Sequence, residues 1–319
     1  MDPLALFTLQ LLNALSLSAL FFFLAVGLTL IFGIMRVINF AHGALFMFGA
    51  YVGVVAQTLS GSFVFSLVAA PLAAGLLGIA FERSALSRLY AREHSAFLLV
   101  TFGLALALTE AIRLIWGADA RQAELPDYLA GIIFVMDEPF PVYRLFLIGA
   151  GVMCALACWA GLQRTRIGLL LRAASQNASM TAALGNDVAR IRAFVFAIAC
   201  ALSALGGALA APLVSASLGL GSNVIIDAFV IVMIGGMGSF VGTAAGSLLL
   251  GFAQTFGNFY LPELSLGMTY AVMIAVLVLR PGGLFGRSEL AQPIHDLFLP
   301  LSLLSVCLDS FCPITQRHC

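Results

Sequence analysis

Polar side chains that could do chemistry are rare in this sequence, and three of them stand together among apolar residues. Arg36, Asn39 and His42 follow one another at intervals of three. On a continuous helix they would share a side only loosely, whereas a break near Asn39 would free backbone groups that its amide could satisfy. Asn39 and His42 are therefore candidates for lining a permeation path or a hinge. The alternative is that Arg36 is a cytoplasmic anchor and that the other two cap helix ends.

The remaining titratable groups in apolar sequence are few. His42 could exchange a proton near neutral pH, but the sequence offers it no charged partner. Glu110 and Arg113 are spaced to pair with each other, which favours a structural role. Asp227 begins an apolar segment, and we expect it to cap the helix there rather than to contact a substrate.

Glycines mark a second region of interest. Gly238, Gly242 and Gly246 recur every four residues, which is typical of one face of a closely packed membrane helix. Tight packing and a moving interface are both compatible with this spacing. The residues predicted to form a translocation path or hinge are Asn39, His42, Gly43, Gly235, Gly236 and Gly238.

The composition indicates what class of protein must position these residues. The chain has 319 residues, of which 62% are hydrophobic and 9% are charged, against about 25% charged residues in soluble domains. This excludes a soluble enzyme, a nucleic-acid binder and a disordered protein. Unbroken apolar runs such as 15–35 also disagree with the short alternating strands of a barrel. Cys154 and Cys158 share a helix face, but no His or second Cys pair accompanies them, so no metal site is expected.

The sequence predicts an all-α, polytopic membrane protein with about 8–9 membrane segments, some of them broken or re-entrant. The segments at 39–58 and 224–257 contain the polar or glycine-rich interruptions, and irregular backbone at membrane depth is tolerated only inside protein or beside a water-filled cavity. The apolar segments lie at approximately 9–35, 39–58, 62–81, 96–116, 142–162, 191–213, 224–237, 240–257 and 268–280.

Arginine distribution predicts the orientation of the segments. Arginines concentrate at 82–94, at 163–192 and after the last segment, so these regions should be cytoplasmic. The connection at 117–141 carries five acids and one Arg, and 214–223 and 258–267 carry no Arg. The basic stretch 163–192 also has a helical pattern over 169–178, with a stop at Gly185-Asn186. It could dock on a partner or lie on anionic lipid, and physics alone does not separate the two.

Three stretches carry a resemblance to a known family. Residues 27–44 (GLTLIFGIMRVINFAHGA) closely resemble the N-terminal signature of the LivH-type permeases of branched-chain amino-acid ABC importers. Residues 234–243 (IGGMGSFVGT), with 248–251 behind them, look like the C-terminal half of that family, and 279–287 (LRPGGLFGR) looks like its usual ending. The similarity covers roughly 9–287, which is assigned as the permease domain 1–287.

The resemblance implies that 163–192 carries a coupling helix which sits in a groove of a cytoplasmic ATPase. Gly185 matches the glycine of the family's coupling motif, but Ser179 stands where the family has an acidic residue. This departure weakens any specific salt bridge while leaving the docking geometry intact. The predicted ATPase-coupling residues are Arg172, Ser179, Gly185 and Asn186.

The same resemblance implies that the chain is a transport subunit of the bacterial inner membrane and not an enzyme. It contains no Lys, so it cannot form a Gly-x-x-x-x-Gly-Lys phosphate loop. No cofactor is expected on this chain, and ATP and Mg would bind to two partner ATPases. The other expected partners are a second, related permease subunit, a periplasmic binding protein and membrane lipid, but no nucleic acid. Alternating access would move branched-chain amino acids or related small amino acids or amides.

Two other classes remain as alternatives. An ion-coupled secondary transporter would need buried, uncompensated acids, for which the sequence offers Glu110 and Asp227 near segment ends. An intramembrane enzyme would need a nucleophile–base pair or a metal triad, and only His42 among the four His lies in an apolar segment. Residues 288–319 match no known pattern and are expected to be a poorly ordered tail.

Overall fold

The structure is a computed structural model that describes residues 3–35, 37–89 and 94–286. Arg36 and the tail at 288–319, for which the sequence made predictions, lie outside these residues. The described part of the chain contains eleven α-helices and one two-stranded sheet. The helices are α1 (Pro3–Met35), α2 (Ala41–Ser60), α3 (Phe63–Ser84), α4 (His94–Trp116), α5 (Val142–Arg164), α6 (Arg166–Gln176), α7 (Ala178–Ala183), α8 (Val188–Ala210), α9 (Leu220–Gly235), α10 (Phe240–Tyr260) and α11 (Ser265–Leu279).

Seven helices within the described ranges are long and apolar enough to cross a membrane, namely α1 to α5, α8 and α10. The apolar helices α9 and α11 have 16 and 15 residues, fewer than the about 20 that a span requires. Seven long and two shorter helices account for the predicted apolar segments, which confirms the polytopic helical fold. The arginine-rich and arginine-poor ends of the bundle are called its inner and outer ends below.

Helix α1 runs through the middle of the bundle. Its 33 residues correspond to about 50 Å at 1.5 Å per residue, more than the about 30 Å of a hydrocarbon core. Between Ser18 and Thr29 every side chain is buried. The helix is apolar on all sides because α5, α8, α9 and α10 surround it.

Helix α8 packs against α1, α2 and α3, and small residues set how closely it approaches α2. Gly49 of α2 lies against the backbone of Ala204, and a Cβ added at Gly53 would lie 2.9 Å from the Cβ of Ala208. With no hydrophobic effect between helices in lipid, such close backbone contact supplies the packing energy. Glycine and alanine therefore allow the close approach of α2 to α8.

The outer connection between α4 and α5 forms a β-hairpin that the sequence did not predict. Strand β1 (Ile132–Val135) pairs antiparallel with β2 (Glu138–Pro141), and Met136 and Asp137 between them have φ of 53° and 67°. A further pair of backbone hydrogen bonds, of 2.9 and 2.7 Å, joins Arg121 to Ala216. The connections that follow α4 and α8 are thus tied together at the outer end.

Two sequence predictions about charged residues have different outcomes. Arg113 donates to both carboxylate oxygens of Glu110, and both side chains are about half exposed, as expected for a structural pair. The prediction that Asp227 caps a helix is wrong, because α9 already begins at Leu220. Asp227 instead accepts a 3.2 Å hydrogen bond from Gln254 of α10.

The α2–α8 packing leads to a stability prediction. We expect Gly49→Leu to prevent close approach of α2 to α8, because its side chain would collide with the Ala204 backbone. The unfolding midpoint of the purified protein in detergent, followed by intrinsic fluorescence, should fall by several degrees. Gly149→Leu is the matched control, since the space beside Gly149 of α5 is open. Equal midpoints for the two variants would contradict the packing assignment.

Candidate functional site

The chain between α1 and α2 turns back into the interior of the bundle. His42, in the first turn of α2, hydrogen-bonds through Nε2 to the carbonyl of Leu24 at 2.8 Å. Leu24 lies eleven residues before the end of α1 at Met35, which is about 16 Å along the helix axis. His42 therefore lies beside the middle of α1, and α2 begins at that depth.

The predicted break in the segment 39–58 is confined to this connection. Val37 and Asn39 are buried, and the helix is continuous from Ala41 to Ser60. Asn39 Oδ1 accepts from the backbone N–H of Ala41 at 3.0 Å, and Thr101 Oγ1 accepts from Phe40 N at 3.4 Å. These side chains accept hydrogen bonds from backbone N–H groups that would otherwise lack an acceptor at membrane depth, where the helix is interrupted.

His42 connects three helices. Its ring bonds to Leu24 of α1, and its backbone carbonyl accepts a 3.1 Å hydrogen bond from Ser203 Oγ of α8. A Cβ added at Gly27 would lie 2.7 Å from the imidazole Cε1, so only glycine leaves room for the ring. Asn39 Nδ2 and His42 Nδ1 are buried and have no hydrogen-bond partner within the described residues.

Gly43 brings the beginning of α2 against the beginning of α9. Its α-carbon faces the carbonyl of Gly221, and a Cβ there would also lie 2.8 Å from Ile225 Cβ. Asn39, His42 and Gly43 are therefore brought together at one buried junction of α1, α2, α8 and α9. Ser203, Thr101 and Gly221 complete this junction, and the sequence analysis missed them because they are distant in the chain.

The second predicted region, at Gly235, Gly236 and Gly238, forms the turn between α9 and α10. Gly236 has φ 96°, and a Cβ there would lie 2.5 Å from the backbone nitrogen of Gly286. Leu284 and Phe285 donate backbone hydrogen bonds to Ile234 and Gly235 at 2.8 and 3.1 Å. The segment after α11 thus closes over this turn.

The predicted glycine face of α10 is only partly correct. Gly238, with φ 82°, lies in the turn before α10 and faces Gly33 of α1. Gly242 and Gly246 are on the helix and lie against Gly235 and Ile231 of α9. The helix is capped by Ser239, whose Oγ accepts from Gly242 N at 3.1 Å, so its start excludes Gly238.

The basic region 163–192 forms two short helices between α5 and α8. Thr165 caps α6, Asn177 caps α7 and Asp187 caps α8, each through a side-chain oxygen that accepts a backbone N–H. The predicted helix over 169–178 is interrupted at Asn177, where α6 ends and α7 begins. The predicted stop at Gly185 is confirmed, since its φ is 84° and its N–H bonds to the Ala182 carbonyl at 2.9 Å.

The four predicted coupling residues are distributed around these helices. Arg172 donates to Gln163 Oε1 at 2.6 Å, which ties α6 to the end of α5. Ser179 is exposed and bonds to Asn177 Oδ1 at 2.8 Å. Asn186 holds the turn after α7 through a hydrogen bond from its N–H to the Thr181 carbonyl at 3.3 Å. Ser179 thus lies on α7, Gly185 and Asn186 follow α7, and Arg172 lies on α6.

Large apolar side chains are exposed on this inner surface, a feature the sequence analysis did not single out. Met180 and Leu184 of the α7 region are 59% and 72% exposed, and Leu169 of α6 is 60% exposed. Beside α7, Arg190 forms an ion pair with Asp187. Exposed apolar groups rimmed by polar residues at the water-facing end of a bundle are typical of a protein-docking surface.

Within the described residues, no group of three or more His, Cys, Asp or Glu side chains could hold a metal ion. Of the two acids that the sequence offered to a secondary transporter, one is ion-paired and the other is bonded, among the described residues, only to an amide. Glu110 is exposed and paired, and Asp227 is hydrogen-bonded to Gln254. Glu82, which the sequence placed in a loop, is buried near the inner end of α3.

Comparisons with known proteins agree with this architecture. The profile of the family described as branched-chain amino acid transport system / permease component matches residues 10–277. The high-affinity branched-chain amino acid transport system permease protein BraD of Pseudomonas aeruginosa is 30% identical, over 89% of this chain and 97% of the relative. No solved structure matches.

Two further relatives show how far the similarity extends. The high-affinity branched-chain amino acid transport system permease protein LivH of Escherichia coli is 27% identical over 90% of this chain and 97% of its own length. The ribose import permease protein RbsC of Haemophilus influenzae is 32% identical, but over 38% of each chain. With its apolar helices, the chain is a multi-pass protein of the bacterial inner membrane, and it belongs to the family of branched-chain amino acid transport permease components.

Proposed function

We propose that this chain is the membrane-spanning permease subunit of a binding-protein-dependent ABC importer for branched-chain amino acids or related small amino acids or amides. The observation that carries the proposal is the full-length similarity to permeases named for branched-chain amino acid transport. The chain itself contains no Lys and hence no phosphate-binding loop. Partner ATPases that bind ATP and Mg would supply the energy.

The exposed α7 region supports the assignment of the docking surface. Met180 and Leu184 offer apolar contact area, and Gly185 sets the turn that presents α7 away from the bundle. Arg172, Ser179 and Asn186 surround or support this turn. In this proposal α7 inserts into a groove of a cytoplasmic ATPase, and the full importer holds two ATPases, a second related permease subunit and a periplasmic binding protein.

The junction at Asn39, His42 and Gly43 and the turn at Gly235, Gly236 and Gly238 are proposed as the hinges of alternating access. Both are places where a helix is interrupted and where backbones touch without intervening side chains. Small rotations at these two places would change the angles of α2 and α10 relative to α9, while each long helix keeps its own shape. ATP binding and release would bias these rotations between outward-open and inward-open states.

The coupling proposal predicts the effect of a strained substitution at Gly185. Gly185→Val should abolish import and the association with the ATPase subunits, because a β-branched residue at φ 84° would distort the turn after α7. Gly117→Val is the matched control, since Gly117 has φ 88°, equally open surroundings and a place at the outer end. Uptake into proteoliposomes and ATPase co-purification measure the outcome. Unchanged import by Gly185→Val would refute the coupling assignment.

The hinge proposal predicts a transport defect beyond a loss of stability. Asn39→Leu removes the acceptor for Ala41 N, which should lower the free energy of unfolding by about 1–3 kcal/mol. Import per folded molecule should fall as well, since the start of α2 would no longer be fixed. Asn223→Leu makes the same change at an exposed site on α9 and should affect neither quantity. If Asn39→Leu loses stability but imports normally per folded molecule, the junction is structural only.

A further inference from the structure

A cavity of about 480 Å³, lined by both polar and apolar side chains, opens at the outer end of the bundle. Its walls come from the first part of α1, the first turn of α5, the last turns of α10 and the connection that follows α8. Polar cavities between spans are typical of sites that receive polar solutes. The polar wall residues are Gln10, Asn13, Ser16, Arg144, Thr255 and Asn258.

Among the described residues that line this cavity, Arg144 is the single charged one. It is half-buried, and its Nη1 donates to Oδ1 of Asn13. The ion pairs found among the described residues are Glu110–Arg113 and Asp187–Arg190, so no described carboxylate neutralises this guanidinium. Arginine has five N–H donors, and one hydrogen bond to Asn13 leaves most of them available to a ligand.

The position of Arg144 in the sequence is itself unusual for this chain. Arginine in this chain concentrates at the inner end, and short outer segments carry few. Arg144 lies two residues after the start of α5, at the outer end. Of the other outer arginines, Arg113 is paired with Glu110 and Arg121 donates to the Trp116 carbonyl at 2.9 Å. Arg144 therefore differs from both in facing a cavity.

The remaining wall matches the other parts of a small amino acid. Amide and hydroxyl oxygens can accept hydrogen bonds from an ammonium group, and no acid in the lining would hold that group tightly. An apolar surface for an aliphatic side chain lies beside them. This apolar surface is formed by Leu17, Leu20, Leu213, Val214 and Phe259.

We propose that this cavity is the entry site of the permease, at which Arg144 binds the α-carboxylate of an amino acid with an aliphatic side chain. This inference rests on the proposed function and adds the ligand contacts. A planar guanidinium matches a carboxylate in a two-bond arrangement. The described lining offers the ammonium group neutral oxygens, which hold it less tightly than a carboxylate would, so the bound amino acid can leave again toward the inner end.

Substrate protection of an introduced thiol tests occupancy of the cavity without relying on transport. Val214 is 48% exposed at the cavity wall, so Val214→Cys should react with a membrane-impermeant thiol reagent added from outside. Millimolar L-leucine should slow this labelling at least fivefold, and L-leucinamide, which lacks the carboxylate, should not. Leu59→Cys, on the 83% exposed residue at the outer end of α2, should be labelled at the same rate with or without L-leucine.

The role of Arg144 is tested in the same background. Val214→Cys combined with Arg144→Gln should lose the protection by L-leucine, whereas Arg144→Lys should retain part of it. Arg121→Gln is the matched control at the outer end and should leave protection intact. Protection that is equal with and without Arg144→Gln would overturn the assignment of the carboxylate contact, even if the protein imports L-leucine normally.

Import in proteoliposomes separates failure of this site from failure of the proposed function. With binding protein and ATPases present, Arg144→Gln should lower kcat/KM for L-leucine about 10- to 100-fold, as expected for loss of a charge-assisted hydrogen-bond pair. If the parent complex imports no branched-chain amino acid, the proposed function itself is wrong. If the effect of Arg144→Gln appears only in vesicles rich in phosphatidylglycerol, the guanidinium binds a lipid phosphate and the entry-site proposal is overturned.

Discussion

The absence of water at membrane depth is the constraint on which the rest of this structure depends. A backbone N–H or C=O that loses its helical partner there must find another within the protein. At the junction of α1 and α2, Asn39 and Thr101 supply side-chain oxygens, and His42 attaches the new helix to α1 and α8. The residues that satisfy the backbone hydrogen bonds at this junction therefore also position three helices relative to one another. A local hydrogen-bonding requirement thus helps to determine the tertiary structure.

Much of the fold could be predicted from the sequence, because hydrocarbon is a uniform solvent and long apolar runs have one solution in it. The details that escaped are set by partners distant in the chain. Asp227 looked like a cap because it begins an apolar run, yet α9 starts earlier, where Gly221 meets Gly43. The hairpin at 132–141 escaped prediction because its strands have only four residues each and lie in the connection between α4 and α5 rather than in a long apolar run.

The candidate site likewise contains residues that the sequence could predict and residues that it could not. Gly185 was predictable, because a helix commonly ends at a residue with positive φ and glycine adopts this conformation without strain. Thr101, Ser203 and the carbonyl of Leu24 were not, because nothing near them in the sequence indicates that a polar group from α2 or the preceding connection will arrive. Arg144 was predictable in principle, as an arginine on the side of the membrane where this chain otherwise has few, but its significance required the cavity beside it.

The closure of the α9–α10 turn by residues 282–286 imposes an order on assembly. The backbone of this last described segment bonds to Ile234 and Gly235, and Gly236 leaves space that Gly286 fills. During synthesis, α9 and α10 emerge from the ribosome before α11, so their connecting turn stays unfinished until α11 has inserted and the chain behind it has folded back. Insertion of α11 thus has to precede the closure of the α9–α10 turn, and a ribosome that stalls before α11 leaves this turn open.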